Sequence, residues 1–148
     1  MSKLSQLYMV AKVEQEREQK CAIAYQQANA HLQANQQKLS GLERYRLDYL
    51  HTIRLKAQQG VAALAMNQHH QFVGKLDKAC EQQVQIINNA VLVVDQRKRQ
   101  WLAQQQKRKA ILHLIALKEK DIKIKEAKLE QKVFDELAIS RSARKSNY

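Results

Sequence analysis

The sequence predicts an all-α protein in which two long helices form an antiparallel coiled-coil hairpin. Among 148 residues there are no prolines and only three glycines, so few turns are available. Ala, Leu, Lys, Gln, Glu and Arg predominate, and all of them favour helices. Aromatic residues make up only 5% of the chain, which argues against a compact globular core. Long helices are therefore expected, in a single coiled-coil domain over residues 1–148.

A heptad pattern predicts the first helix over about residues 3–57. Apolar residues recur at alternating spacings of three and four, as in a coiled-coil seam, and eleven of the fifteen positions are apolar. Ser2 precedes the pattern and is the expected N-cap. The predicted seam consists of Leu4, Leu7, Ala11, Glu14, Glu18, Cys21, Tyr25, Ala28, Leu32, Asn35, Leu39, Leu42, Arg46, Tyr49 and Ile53.

The apolar pattern is interrupted around Gly60, and we predict a turn there over about residues 58–66. A second helix should follow over about 67–140, and a frayed basic tail over 141–148. In a hairpin centred near Gly60, residues whose numbers sum to about 121 face each other, which brings both apolar series into register. A helix that continued straight through Gly60 would instead form a homodimeric structural coiled coil.

The second helix is longer than the first, so it should overhang by about twenty residues beyond Lys118. This overhang is highly charged and carries a thin apolar line. It is either a solvated helix end or a surface that binds another protein through Ile122, Leu129 and Val133. The predicted seam of the second helix consists of Val73, Cys80, Val84, Ile87, Val91, Val94, Trp101, Leu112, Ile115, Ile122, Leu129 and Val133, with polar gaps that include Asp77, Lys98, Gln105 and Glu119.

Beside its seam and close to the turn, the second helix carries another apolar line. One partner helix covers only a narrow stripe, so two adjacent lines exceed what it can cover. Clustered Tyr, Phe and Leu side chains on so thin a fold indicate an interaction patch, although a wide seam or self-association would also explain them. The second line consists of Phe72, Leu76, Ala79, Ile86, Ala90 and Val93, and the predicted register places Leu42, Tyr45 and Tyr49 opposite its first members.

The net charge of +12 favours acidic partners, especially from Asp95 onward, where 15 basic residues meet 7 acidic ones. Nucleic-acid binding is the less favoured alternative, because the basic triplets at 97–99 and 107–109 wrap around the helix instead of forming one stripe. No secretory signal is visible, and the longest uncharged run, residues 57–74, contains Gln, Asn and His. A cytoplasmic protein without direct membrane insertion is therefore expected.

Catalytic, cofactor and metal sites are not expected. His69 and His70 are neighbours that point about 100° apart on a helix, so they cannot chelate a metal on one face. No Gly-rich phosphate loop is present, and a two-helix fold offers no pocket that excludes water. The cysteines at 21 and 80 lie too far apart in the hairpin for a disulfide and are expected to be small seam residues.

Four motifs, in order and at suitable spacing, make the sequence resemble the FliJ family of the bacterial flagellar type III export apparatus. The resemblance covers about residues 2–140 and departs from the family at Cys80, where an aliphatic residue is commoner. Its motifs are Tyr45-Arg46-x-x-Tyr49, Phe72-x-x-x-Leu76-Asp77-x-Ala79 with Gln82-Gln83, Trp101 among basic residues, and Glu130-Gln131-Lys132-x-x-Asp135-Glu136.

The resemblance implies a non-enzymatic protein similar to the gamma stalk of rotary ATP synthases. Its helix ends would insert into the hexameric export ATPase, FliI, and its turn-proximal patch would bind the cytoplasmic domain of the export gate subunit, FlhA. It would also handle the chaperones of flagellar substrates, and it would associate peripherally with the inner-membrane gate. By position, the gate patch maps onto Leu42, Tyr45, Tyr49, Phe72, Leu76 and Ala79, and the ATPase-binding helix ends onto Leu4, Leu7, Ile122, Leu129, Val133 and Arg141.

Overall fold

The computed structural model describes residues 2–146 and contains two helices there. Helix α1 spans Lys3–Gln59 and helix α2 spans Ala63–Ser146, with residues 60–62 between them. The helices pack against each other, and the described residues form no strand, which confirms the predicted all-α antiparallel hairpin. Ser2 caps α1 as predicted, because its hydroxyl accepts a hydrogen bond from the Ser5 N–H at 3.1 Å.

Gly60 ends α1 in a left-handed backbone conformation with φ +81°. This is the conformation that commonly terminates helices, and glycine adopts it without steric cost. The Gly60 N–H donates to the Ala57 carbonyl at 3.3 Å and closes the last turn of the helix. The alternative of one straight helix through Gly60 is therefore wrong.

The turn is shorter than predicted. Of the expected turn over residues 58–66, only residues 60–62 lie outside a helix, and α2 begins at Ala63 instead of about residue 67. Residues 63–66 read Ala-Leu-Ala-Met, which are strong helix formers even where no seam continues through them. The Met66 N–H already donates to the Ala62 carbonyl at 3.0 Å.

The C-terminal tail also differs from the prediction. We expected α2 to end near residue 140 and a frayed basic tail over 141–148, but α2 continues to Ser146. No Gly or Pro interrupts this segment, and the basic side chains of Arg144 and Lys145 suit the negative end of the helix dipole. Asn147 and Tyr148 lie outside the described residues.

Gly60→Ala is expected to lower the free energy of unfolding by about 1–2 kcal/mol, the cost of a left-handed conformation at a residue with a Cβ. Its added methyl group would have no neighbour within 4 Å, so the cost is conformational only. Gly74→Ala is the matched control, because Gly74 lies inside α2 with equally open space. It should stabilise the chain by about 0.5–1 kcal/mol. Urea unfolding followed by circular dichroism measures both, and an unchanged Gly60→Ala variant would contradict the conformational requirement.

The chain divides into two compact units, which are described separately below. Unit 1 contains Met1–Glu18 and Ala103–Tyr148, and unit 2 contains Gln19–Leu102. Each unit holds a segment of α1 against a segment of α2. That one domain spans the whole chain remains a prediction.

The predicted seam of α1 is confirmed in both units. All fifteen positions from Leu4 to Ile53 are buried or half-buried, including the polar positions Glu14, Glu18 and Asn35. Among them Ile53 is the most buried, with 7% of its surface exposed. The heptad spacing alone therefore predicted which face of α1 contacts α2.

The seam of α2 consists of two alternating sets of positions, as in any heptad pattern. The prediction is correct for one set, whereas the other set lies one residue earlier than predicted. The line through Val73, Ile87 and Ile115 is buried or half-buried as expected. The second line runs through Leu76, Gln83, Ala90, Gln104 and Ile111, one residue before the expected Asp77, Val84, Val91, Gln105 and Leu112.

The shift follows from hydrogen bonds that the apolar pattern does not reveal. The Gln83 side chain is 2% exposed and donates to both the backbone and the side-chain oxygen of Asn35, each at 2.9 Å. Burying an amide costs little free energy when its hydrogen bonds are formed. The apolar pattern of the sequence, however, assigns a glutamine such as Gln83 to the surface. Val84 and Val91 are in consequence 40% and 45% exposed.

The overhang of α2 is confirmed and begins slightly later than predicted. Lys118 and Ile122 are still half-buried in unit 1, whereas every residue from 123 to 146 is exposed. From here on, the overhang means residues 123–146. Ile122, which we had assigned to the overhang, instead lies in the contact between the helices.

Candidate interaction surfaces

Three aromatic side chains meet in unit 2, close to the turn. The ring centroid of Phe72 lies 4.7 Å from that of Tyr49 and 6.3 Å from that of Tyr45, the second pair edge to face. Tyr45 and Tyr49 are 6.5 Å apart. These distances and angles suit attractive contacts between aromatic rings. The predicted pairing of Tyr49 with Phe72, whose numbers sum to 121, is confirmed.

His69 belongs to the same cluster, although the sequence did not identify it as a member. Its Nδ1 lies 2.6 Å from the Tyr49 hydroxyl, and the two rings meet at 62°. His69 is half-buried one helical turn before Phe72, so its spacing from the seam was the available signal. The hydrogen bond holds the Tyr49 side chain in place. Tyr45 is the most exposed aromatic side chain of the cluster, at 52%.

The six residues of the predicted patch have different degrees of exposure. Leu76 is only 7% exposed and lies in the contact between α1 and α2. Leu42 and Ala79 are half-buried, and Tyr45 is accessible. The patch is therefore a surface of aromatic rings and small apolar groups with Leu76 beneath it.

An ion pair lies beside this cluster. The Arg46 guanidinium donates to the Asp77 carboxylate at 2.5 Å, with both side chains partly exposed. Arg46 occupies a seam position and Asp77 flanks the opposite seam, so the pair favours this alignment of the helices over a shifted one. Farther from the turn, Tyr25 stacks on Trp101 with a centroid distance of 5.8 Å.

Polar contacts also join α1 and α2 in the paired part of unit 1. The Gln104 amide donates to the Glu14 carbonyl at 3.1 Å and also to its carboxylate. Arg108 forms an ion pair with Glu18. Because buried polar pairs are satisfied in only one alignment, these contacts help to define the register.

In unit 1, Tyr8 connects α1 to α2 near the start of α1. The Tyr8 hydroxyl donates to the Glu119 carboxylate. This hydrogen bond, with smaller contributions from desolvation and from the charge of Glu119, raises the pKa of Tyr8. A tyrosine hydroxyl is already protonated at neutral pH, so the raised pKa extends its role as a donor to more alkaline pH.

The predicted ATPase-binding residues fall into two groups within unit 1. Leu4, Leu7 and Ile122 are half-buried and hold the helix ends together. Leu129 and Val133 are 63% and 50% exposed on the overhang. Arg141, the sixth predicted residue, is also exposed on the overhang.

The overhang carries an apolar face that sequence analysis recognised only in part. Phe134 is 74% exposed and Leu137 is 55% exposed, and neither was among the predicted site residues. With Val133 they fall within about 100° of the helix circumference, and Arg141 and Lys145 continue the same face. The spacing of residues 133, 134, 137 and 141 indicates one face of a helix. Only residue 133 belongs to the predicted seam, so extending the seam did not find the others.

Among the described residues, no cluster of three or more His, Cys, Asp or Glu side chains has an arrangement suited to a metal ion. Neither α1 nor α2 contains a stretch that is long and apolar enough to cross a membrane. Both cysteines are free and half-buried.

A hairpin with exposed apolar faces in each unit is typical of a helical interaction protein. Comparison with known families gives the particular assignment: the family model described as flagellar FliJ protein matches residues 2–147, and the chain belongs to this family. The family is a non-catalytic part of flagellar protein export, so the chain is a component related to flagellum biogenesis. Neither the curated proteins nor the solved structures contain a match to this chain.

Proposed function

We propose that this chain is a non-catalytic component of the flagellar type III export apparatus that couples or assembles the export ATPase with the export gate. The observation that carries the proposal is the overhang, in which 24 consecutive helical residues are exposed. An isolated helix is marginally stable in water, and the apolar face of the overhang has no partner among the described residues of unit 1. Binding to another protein would both bury this face and stabilise the helix.

The proposed ATPase contact consists of Leu129, Val133 and Arg141, extended by Phe134 and Leu137. It combines exposed apolar groups with a basic helix end, which favours an apolar surface with acidic residues nearby. The hexameric export ATPase is the partner implied by the family. The other predicted helix-end residues would contribute indirectly, because their contacts in unit 1 hold the base of the overhang.

The proposed gate contact is the aromatic patch of unit 2. Tyr45 would supply the most accessible ring, with Phe72 and Tyr49 beside it, and aromatic residues commonly dominate binding energies. Leu42 and Ala79 would border the contact. Leu76 would act by supporting Phe72 from within the helix pair. The partner is the cytoplasmic domain of the export gate subunit.

Handling of substrate chaperones, a cytoplasmic location and peripheral association with the inner-membrane gate complete the proposal and rest on the family alone. Two ion pairs weaken the alternative of nucleic-acid binding. Arg99 pairs with Asp95 at 2.6 Å, and Arg108 pairs with Glu18, so both basic triplets lose part of their charge within the chain. Phosphate binding would require those charges to be available.

The coupling role predicts that the chain bridges its two partners. Immobilised export ATPase should capture the cytoplasmic domain of the gate only when this chain is present. The control omits the chain and repeats the capture with ATPase alone. Equal capture of the gate domain with and without the chain would contradict a bridging role.

A further inference from the structure

The middle of unit 2 is nearly free of charge. Residues 21–41 of α1 and 79–96 of α2 contain three charged side chains, Lys38, Glu81 and Asp95, although 27% of the whole chain is charged. The outer faces of a solvated coiled coil normally carry charged residues. Their depletion is instead typical of the centre of a protein interface.

Within this zone α2 is apolar on all sides. Residues 90–94 read Ala-Val-Leu-Val-Val, and because each residue turns a helix by about 100°, five in succession surround it. Helix α1 covers one side, where Ala90 is 5% exposed, whereas Leu92 on the other side is 67% exposed. A helix that is apolar on all sides is normally buried on all sides. A second surface should therefore cover the face of α2 that is turned away from α1.

The charges on this outer face are arranged in a self-complementary order. Glu81, Leu92 and Arg99 lie within about 20° of one line along this face, with Glu81 before Leu92 and Arg99 after it, and Asn88 lies beside Leu92. Rotated by 180° about an axis near residue 90, the same face presents Arg99 opposite Glu81 and Asn88 opposite Leu92. This order suits a two-fold contact, in which residue i contacts j and j contacts i.

We propose that two copies of this chain associate through the outer faces of their α2 helices, packed antiparallel about a two-fold axis near residue 90. Glu81 of each copy then faces Arg99 of the other. Asp95 already holds Arg99 at 2.6 Å, and the guanidinium has further N–H groups free for Glu81. Leu92, which is 67% exposed in the single chain, lies beside the axis in each copy and becomes covered by the other.

Charge also favours a second copy as the occupant. The chain carries +12 overall, so two copies repel each other over most of their surfaces. The zone over 21–41 and 79–96 contributes one basic and two acidic residues, and the basic residues 97–99 at its edge approach Glu81 of the other copy. Close approach is therefore less opposed there than along the rest of the chain. The contact does not use the aromatic patch or the overhang, and it is therefore independent of the proposed gate and ATPase contacts.

Sedimentation velocity of the full chain, from about 1 to 200 µM, tests the proposal. The wild-type chain should shift from monomer to dimer as concentration increases. Leu92→Gln should raise the dimer dissociation constant at least about tenfold, because Leu92 is the large apolar side chain beside the axis. Leu47→Gln is the matched control, since Leu47 is 63% exposed on α1 outside the face, and it should dimerise like the wild type.

Charge reversal provides the decisive experiment. Glu81→Lys places Lys against Arg99, and Arg99→Glu places Glu against Glu81, so each variant alone should be monomeric. Mixed together they should form a heterodimer, because both contacts then join opposite charges. A mixture that remains monomeric, a dimer that survives Leu92→Gln, or a monomeric wild type overturns the proposal. A monomeric wild type whose binding to the ATPase or gate is weakened by Leu92→Gln assigns the face to that protein instead.

Discussion

A chain cut after Ile122 is expected to remain a folded hairpin but no longer to bind the export ATPase or to stimulate its ATP hydrolysis, two effects that the proposed overhang contact predicts for the full chain. The deleted residues 123–146 are all exposed, so their removal costs little tertiary packing. Ile115 and Ile122, which lie in the helix contact, are retained. Circular dichroism should show less helix but an unchanged melting temperature, whereas ATP hydrolysis should be as slow as without the chain.

Substitutions within the overhang test whether stimulation of the ATPase requires its apolar side chains or only its length. Replacing Val133, Phe134 and Leu137 together by Gln keeps the overhang and its charge, and should also abolish stimulation if this face binds the ATPase. Ile139→Gln is the matched control, because Ile139 is 69% exposed on the opposite side of α2. Normal stimulation by the truncated chain would exclude the overhang as the ATPase contact. Equal loss with Ile139→Gln would exclude the specific face.

The double variant Tyr45→Ala with Phe72→Ala is expected to weaken binding to the export gate by about 30-fold or more, since loss of an aromatic hot spot costs about 2 kcal/mol. Both rings contact each other, and Tyr45 is accessible to a partner. Binding to the isolated cytoplasmic domain of the gate, measured by calorimetry, checks the value. Helicity should be unchanged, because neither residue is fully buried.

Tyr8→Ala is the matched control for this double variant. Tyr8 is 49% exposed, similar to Tyr45 at 52%, but it lies in unit 1 and hydrogen-bonds to Glu119. It should leave affinity for the gate unchanged. If the double variant binds as tightly as the wild type, the aromatic patch is not the gate contact.

Much of the aromatic patch could be predicted from the sequence because the hairpin register pairs its members across the two helices. A hairpin turn near Gly60 places Tyr49 opposite Phe72, and their rings lie 4.7 Å apart. The burial of Leu76 was not predicted, because Leu76 and the neighbouring position 77 compete for the same line of the seam. His69 was not assigned to the patch, because the sequence shows its spacing from the seam but not its hydrogen bond to Tyr49.

The apolar face of the overhang could also be predicted only in part from the sequence. Leu129 and Val133 were found by extending the seam of α2 beyond its partner. Once α1 ends, however, nothing requires the apolar residues to follow that phase. Phe134 and Leu137 continue the exposed face instead, on a helix with no partner to select the seam.

The sequence by itself determined that this protein is two helices, because it lacks prolines, is rich in helix formers and keeps one heptad phase from Leu4 to Ile53. Gly60 determined where the chain reverses. Only the tertiary structure decided which residues of α2 face α1, since Gln83 is buried while Val84 is exposed. The physical reason is that an amide with satisfied hydrogen bonds can replace an aliphatic side chain in the seam, and only the position of Asn35 shows that its partners are present.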